Sequence, residues 1–271
     1  MHPILTPPTP RRHLRLLLLL ALCGTGAALA SETATAPVAA RATPTRPGPL
    51  ATPAALKLSA HPPALVARFV VTLTPGRGKP ERHSTHAWTF LRDAHQVALL
   101  KGSIDEIWHR DDQGRLSFER IFHDDQQAVD YGAGELAALG VEADWTALST
   151  FVDPRELTGL RVVSRRGQGR EEILSLRGQT RHGSLVLDWQ PALQLPKRLV
   201  RTEAGGQVTR FELAQAASLE PGPDGPRPGD RSAHYLRFDA ADFGDMDYEK
   251  VVKKSEALDI RSGWRTAHHH D

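Results

Sequence analysis

The chain has 271 residues, of which 40% are hydrophobic and 24% are charged, and its 34 lysines and arginines nearly balance its 32 acidic residues. This composition is typical of a globular protein of one or two domains, and the balanced charge argues against a nucleic-acid-binding protein, which would carry an excess of positive charge. The single cysteine excludes a framework of intramolecular disulfides and a cysteine-rich metal site.

Residues 1–30 have the pattern of a cleavable secretory signal peptide. Three arginines precede the leucine-rich run 16–22, and Ala28 and Ala30 supply the small residues that a signal peptidase recognises. The apolar run is shorter than the roughly 20 residues that span a bilayer. We therefore expect an exported, periplasmic protein whose mature chain begins near Ser31 and has no transmembrane span.

Two alternatives to simple cleavage arise within this segment. Cys23 could be a lipidation site, but Leu22 precedes it where a lipoprotein signal has Gly, Ala or Ser, so anchoring at Cys23 is not expected. Arg11 and Arg12 could belong to a twin-arginine signal, although the leucine-rich core favours the general export pathway. Cleavage would leave a mature chain that is slightly acidic and free of thiols.

Two proline-rich stretches divide the rest of the chain. Residues 31–55 consist largely of Ala, Pro and Thr without an aromatic residue, which predicts a disordered linker. Residues 219–232 are rich in Pro and Gly and predict a second linker. The sequence thus predicts a main domain over residues 56–218 and a C-terminal strand–helix segment over 233–271 with a His-rich tail.

The main domain is dominated by apolar residues at every second position, which is the pattern of half-buried β-strands. Ala67, Phe69, Val71 and Leu73 lie on one face of the first such run, and Gly- or Asp-containing turns separate it from later runs. Residues 134–150 interrupt the pattern with helical periodicity. The prediction is a mainly β (α+β) fold, a curved antiparallel meander sheet or half-barrel with a short helical insert and a C-terminal helix.

The later strands contain a recognisable passage. Leu185–Pro191 predicts a strand, Leu195-Pro196 begins the next, and residues 204–206 form a hairpin turn. Together with the preceding meander and helical insert, this order resembles the half-barrel of LolA/LolB-type periplasmic lipoprotein carriers over about residues 65–215. The resemblance implies binding of a lipid or of a lipoprotein acyl chain. The chain departs from that family before the first strand, where His61-Pro62-Pro63 leaves only a short segment in place of a long amphipathic helix.

Aromatic residues on the predicted strands are the candidate ligand-binding residues: Phe69, Trp88, Phe90, Trp108, Phe118, Phe122 and Trp189. In one interpretation this apolar face binds a lipid, an acyl chain or an apolar partner segment. In the other, the same side chains form the core beneath the helical insert, as aromatic residues commonly do. No catalytic residue and no cofactor is predicted, because the chain has no Gly-x-Ser-x-Gly motif and the mature chain no cysteine nucleophile. The favoured hypothesis is a non-enzymatic envelope protein.

The histidines support a second hypothesis, a periplasmic metal-binding protein. Three or four histidine side chains would have to converge to bind a metal such as zinc. The candidates are His86, His95, His109 and His123 on or beside predicted strands and His268, His269 and His270 in the tail. A solvated tail with separate strand histidines is the alternative, and an uncharacterised hydrolase is a third hypothesis.

The C-terminal segment predicts a strand over Tyr235–Phe238 and a helix from about Asp245 to Leu258. The acidic run Asp242–Glu249 does not match the ligand spacing of a calcium-binding EF-hand. We expect it to form the solvated N-terminus of the helix, where negative charge complements the helix dipole.

Overall fold

A computed structural model describes residues 49–77, 83–219, 230–246 and 249–265. The predicted signal peptide with Cys23, most of the first linker, most of the second linker and the tail His268–His270 lie outside the described residues.

Twelve strands form one open sheet, in the order β12-β6-β5-β4-β3-β2-β1-β11-β10-β9-β8-β7. Their bounds are β1 Leu65–Thr74, β2 Ser84–Arg92, β3 Gln96–Leu100, β4 Ile104–Arg110, β5 Leu116–Phe122, β6 Gln127–Tyr131, β7 Leu160–Arg166, β8 Ile173–Thr180, β9 Gly183–Gln190, β10 Leu195–Thr202, β11 Val208–Ser218 and β12 Leu236–Asp239. The predicted mainly β fold with a curved meander sheet is confirmed, and the sheet does not close into a barrel because β12 and β7 remain its two edges.

Two antiparallel meanders, β1–β6 and β7–β11, meet at the centre of this sheet, and β12 extends it beyond β6. Strand β1 begins the first meander and pairs antiparallel with β11, the last strand of the second, from Leu65 opposite Ser218 to Thr74 opposite Val208. Tight turns keep each meander in register. At the β4–β5 turn, for example, the Asp111 carboxylate accepts hydrogen bonds from the backbone N–H groups of Gln113 and Arg115 at 2.9 and 2.8 Å.

In the described part of the chain, four α-helices accompany the sheet: α1 Pro53–Leu56, α2 Ala133–Ala138, α3 Trp145–Thr150 and α4 Lys250–Arg261. Helices α2 and α3 form the predicted insert at 134–150, and the Asp144 carboxylate caps α3 by accepting from Ala147 N–H at 2.7 Å. One face of the sheet, here called the inner face, packs against the helices. On the opposite, outer face, the small apolar cluster comprises Leu91, Ala98, Ile107, Ile121 and Ala128.

Arg92 joins several segments at one end of the inner face. Its fully buried guanidinium donates hydrogen bonds to the carbonyl groups of Pro63, Ser149, Leu193 and Gln194. Burial lowers the pKa of Arg92 to about 9, and among the described residues no carboxylate pairs with it. The side chain therefore links the entry to β1, the end of α3 and the β9–β10 turn through backbone acceptors alone.

Residues 49–55, at the end of the predicted linker, contact the sheet. Ala51 N–H donates to Leu160 O at 2.9 Å, and the Thr52 hydroxyl caps α1 by accepting from Ala55 N–H at 3.0 Å. Ala51 and Leu56 are buried against the sheet. These hydrogen bonds and buried apolar contacts offset the loss of conformational entropy when this segment adopts one conformation.

In the C-terminal segment, the predicted strand is present as β12, and it pairs parallel with β6, so the segment extends the main sheet. The helix begins at Lys250, with no acidic residue in its first turn, and the prediction of a helix from Asp245 with acidic first turns is wrong. Residues 240–242 instead form a 3₁₀ turn that the Asp239 carboxylate caps by accepting from Ala241 N–H at 2.9 Å.

Candidate functional site

A first aromatic cluster lies at the centre of the inner face and comprises Phe69, Trp88, Phe90, Phe151 and Phe211. Strands β1, β2 and β11 bring four of these rings together, and the residue after α3 supplies Phe151. The Phe151 ring centroid lies 4.7 Å from that of Phe90, 5.3 Å from Phe69 and 6.2 Å from Phe211. Phe151 therefore fills the space that the three strand residues enclose.

The backbone of Phe151 has an unusual conformation. Its φ of 60° places a non-glycine residue in the left-handed region, where it ends α3 and its N–H donates to Ala147 O. A β-carbon in this region costs about 1 kcal/mol relative to glycine. The burial of the ring in the first aromatic cluster offsets this strain.

A second aromatic cluster lies toward the β12 edge and comprises Trp108, Phe118, Tyr131 and Trp264. The Trp264 ring, which follows α4, lies edge-on with its centroid 5.2 Å from that of Phe118, 5.9 Å from Trp108 and 6.0 Å from Tyr131. The C-terminal segment thus covers this part of the sheet with an aromatic side chain of its own.

All seven predicted ligand-binding residues belong to the one buried apolar cluster of the inner face, and their ring contacts differ along it. Phe69, Trp88 and Phe90 belong to the first aromatic cluster, and Trp108 and Phe118 belong to the second. Phe122 lies beside Lys254 of α4, and Trp189 donates from its indole N–H to Leu56 O at 2.8 Å. None of the seven is more than 6% exposed, so in this conformation all of them pack as core side chains.

Sequence reasoning missed four side chains at these clusters: Phe151, Phe211, Trp264 and Arg120. Alternation within β11 could have assigned Phe211 to the inner face, and Arg120 stands between Phe118 and Phe122 at the same period of two. The positions of Phe151 and Trp264 follow the ends of short helices and carry no periodic signal.

Arg120 forms a buried ion pair between the sheet and the C-terminal helix. Its guanidinium lies 2.9 Å from the Asp259 carboxylate of α4, and the two side chains are 1% and 0% exposed. Burial alone would lower the pKa of Arg120, but the surrounding acidic groups raise it above its ordinary value. The Tyr131 hydroxyl donates to Asp259 at 3.1 Å, and burial raises the pKa of Tyr131.

Glu106 of β4 extends this network toward the first aromatic cluster. Its carboxylate lies 3.6 Å from Arg120 Nε and 2.5 Å from Lys101 Nζ, which stands over the Trp88 ring. Burial alone would raise the pKa of Glu106, but the charges of Lys101 and Arg120 outweigh burial and lower the pKa below its ordinary value of 4.5.

A pH dependence of stability follows for Glu106. Because its pKa in the folded state lies below its ordinary value, the ionised group stabilises the fold at neutral pH, and this contribution is lost as the pH falls below the ordinary value of 4.5. We expect Glu106→Gln to be less stable than the parent protein at neutral pH, with the difference shrinking toward about pH 3. Urea unfolding at both pH values measures it, with Asp112→Asn on an exposed turn as the control. A difference that is independent of pH would contradict this prediction.

The described histidines do not assemble a metal site. Within the described ranges no group of three or more His, Cys, Asp or Glu side chains is arranged to hold a metal ion. On the outer face, His123 Nε2 lies 2.8 Å from the Asp105 carboxylate and Nδ1 lies 3.2 Å from the Tyr235 hydroxyl. His109 faces Glu119 at 3.5 Å. For this part of the chain, the metal hypothesis for the strand histidines is not supported.

The His123 arrangement also bears on the hydrolase hypothesis. Its two ring nitrogens face Asp105 and Tyr235, and no serine or threonine hydroxyl in the described part of the chain is hydrogen-bonded to it. His123 therefore forms no nucleophile–base pair of the serine-hydrolase type with a described residue. Helices of the length and hydropathy needed to cross a membrane are likewise not found among the described residues.

Comparisons with known proteins find similarity at the level of the fold only. No protein-family model and no curated protein sequence matches the chain. Among solved structures, PNGF-II matches at 9% identity with a TM-score of 0.37, covering 69% of this chain and 34% of that chain. An outer membrane lipoprotein-sorting protein domain from Vibrio parahaemolyticus matches at 9% identity with a TM-score of 0.32, covering 60% of this chain and 88% of that chain.

A LolA superfamily protein from Nitrosomonas europaea also matches, at 8% identity with a TM-score of 0.24, covering 65% of this chain and 96% of that chain. The family that the sequence resembles thus recurs among the structural matches. At these TM-scores the similarity carries no inference about function or ligand.

Proposed function

We propose that this protein is a non-enzymatic protein of the cell envelope that binds a long apolar chain, such as a lipid or lipoprotein acyl chain, on the inner face of its sheet. The observation that carries the proposal is the way Phe151 fills the first aromatic cluster. Its ring is inserted among Phe69, Phe90 and Phe211 at the end of a six-residue helix, at the cost of a left-handed backbone.

The cover over this cluster is well suited to exchange with a ligand. Helix α3, which precedes Phe151, has six residues and is too short to be stable apart from its packing on the sheet. Displacement of α3 would remove Phe151 and expose the rings of Phe69, Phe90 and Phe211 on a rigid sheet. An acyl chain entering there would replace one apolar contact surface by another, so the hydrophobic cost of opening is largely offset.

Native mass spectrometry of the protein purified from the periplasm tests this function directly. The expected result is a bound mass in the range of a lipid or fatty acid, and release of that mass on organic extraction. A second measurement is the fluorescence of N-phenylnaphthylamine, a neutral apolar probe, titrated into delipidated protein. Absence of a bound mass together with absence of probe binding would exclude the proposed function.

Substitutions of Phe151 separate the effect of its ring, which fills the first aromatic cluster, from the effect of its backbone strain. Phe151→Ala and Phe151→Gly both remove the ring, and we expect each to be destabilised by about 3 kcal/mol and to bind the probe several-fold more tightly than the parent protein. The glycine variant is expected to be more stable than the alanine variant by about 1 kcal/mol, because only glycine relieves the left-handed conformation. Urea unfolding and probe titration measure both effects. Unchanged probe affinity in both variants would contradict the proposal that the Phe151 ring occupies the ligand site.

A further inference from the structure

The C-terminal helix α4 is held on the inner face chiefly by the contacts that it makes there. It has 12 residues, and its N-cap residue Glu249 makes no side-chain capping bond. Lys250 stands in the first turn, where positive charge opposes the helix dipole. Its buried side chains are Val251, Val252, Ser255, Leu258 and Asp259. Asp259 is the only carboxylate among these buried residues, and it lies on Arg120.

The sheet residues Trp108, Phe118 and Tyr131 form, together with Arg120, a receptor with an apolar wall and a cationic centre, and Trp264 covers it. The Arg120 guanidinium lies 5.1 Å from the Phe118 ring centroid, 5.6 Å from that of Trp264 and 5.7 Å from that of Tyr131. Arg120 Nε faces the Glu106 carboxylate at 3.6 Å, whereas the Asp259 carboxylate contacts the guanidinium at 2.9 Å. A buried guanidinium forms its strongest hydrogen bonds with an ionised acceptor in direct contact.

The charges of this network depend on α4. With the helix in place, Asp259 accepts from both Arg120 and Arg265, at 2.9 and 3.2 Å. If α4 moved away, it would carry Asp259 and Arg265 with it, and Arg120 would lose the carboxylate that it contacts at 2.9 Å and keep only that of Glu106 at 3.6 Å. The Arg120 guanidinium would then lie among aromatic rings without a carboxylate in direct contact. This state is unfavourable unless another anion replaces Asp259.

We propose that Arg120 binds the carboxylate of a long-chain carboxylic acid, and that α4 occupies this site in the structure. Asp259 then stands in the place of the ligand carboxylate, and Trp264 in the place of the adjoining part of the alkyl chain. The inference rests on the proposed function, because it names the head group of the apolar ligand. Binding of the ligand and docking of α4 are then mutually exclusive. The helix acts as an internal competitor that keeps the empty site closed.

The test compares palmitic acid with hexadecanol, which has an alkyl chain of the same length and no charge, as competitors of N-phenylnaphthylamine on the full-length mature protein. We expect the acid to compete about tenfold more strongly than the alcohol, because one charge-assisted hydrogen bond corresponds to about a tenfold difference in affinity. Asp259→Asn is expected to raise this ratio several-fold, because it removes the internal carboxylate and leaves Arg120 in place. Asp111→Asn, at an exposed ion pair with Arg115, is the matched control and should leave the ratio unchanged.

The paired variant Arg120→Met with Asp259→Leu removes both charges and keeps the site apolar, so the test does not depend on the folding of Asp259→Asn alone. In this variant the acid and the alcohol should compete equally. Retention of the preference for the acid, or an acid-to-alcohol ratio near one in the parent protein, overturns the inference while leaving the proposed function intact. Failure of both competitors and of the probe in every variant excludes the proposed function itself.

Discussion

Arg120→Met is expected to lower the free energy of unfolding by about 3–5 kcal/mol, because it leaves the Asp259 carboxylate buried without its principal counter-charge. Asp259 is 0% exposed, so water cannot replace the guanidinium. Arg265 at 3.2 Å is the remaining cation and compensates only in part. Urea unfolding followed by circular dichroism measures the loss.

The paired replacement provides the control for this prediction. Arg120→Met with Asp259→Leu removes both charges together, and we expect it to recover most of the lost stability, since well-packed apolar residues commonly replace a buried ion pair at little cost. A paired variant as unstable as Arg120→Met would show that the loss comes from packing against Phe118, Tyr131 and Trp264. A loss below about 1 kcal/mol in Arg120→Met would mean that the Arg120–Asp259 pair contributes no more to stability than an exposed ion pair does.

Trp189→Ala is expected to lower the free energy of unfolding by about 3–5 kcal/mol. Trp189 is the largest of the fully buried side chains, and its indole N–H donates to Leu56 O at 2.8 Å, which ties α1 to the sheet. The alanine variant leaves a cavity and an unpaired carbonyl group. Trp189→Phe retains most of the volume and is expected to lose about 1–3 kcal/mol, chiefly from the missing hydrogen bond.

The edge strand β7 supplies the matched control for this pair. Val163 is 49% exposed there, and Val163→Ala is expected to change stability by no more than about 0.5 kcal/mol. Equal small losses in Trp189→Ala and Val163→Ala would mean that Trp189 lines a solvent-filled cavity and is not a core residue. That result would restore Trp189 as a ligand-facing side chain, as one interpretation of the sequence predicts.

The strands and turns were predictable because their signals are local. Alternation at Ala67, Phe69 and Val71 reports a face that is buried in the structure, and Asp111 and Gly114 mark a turn by their own hydrogen bond and backbone conformation. The start of α4 was not predictable in the same way. The acidic residues before it suit a helix N-terminus, but the chain follows β12 into a 3₁₀ turn first, and the helix begins only at Lys250.

The candidate site was predictable in its residue types and not in its arrangement. The aromatic residues of the strands could be assigned to one face from their spacing. Their division into two clusters depends on Phe151 and Trp264, which come from helix ends far away in the chain. Arg120 occupies an inner-face position by its spacing, yet its charge alone predicts a solvent-exposed side chain. Its burial is favourable because of the carboxylates of Glu106 and of Asp259, which lies 139 residues later.

The sequence by itself determined the elements of this protein: short alternating strands, polar turns and a helical insert, together with a predicted export signal. These follow from side-chain period, turn chemistry and composition, which act over a few residues. The tertiary structure alone decided that β11 lies beside β1, that β12 adds parallel to β6, and that α4 places Asp259 on Arg120. Such contacts join residues more than a hundred positions apart, and their free energy depends on the burial that the complete sheet creates.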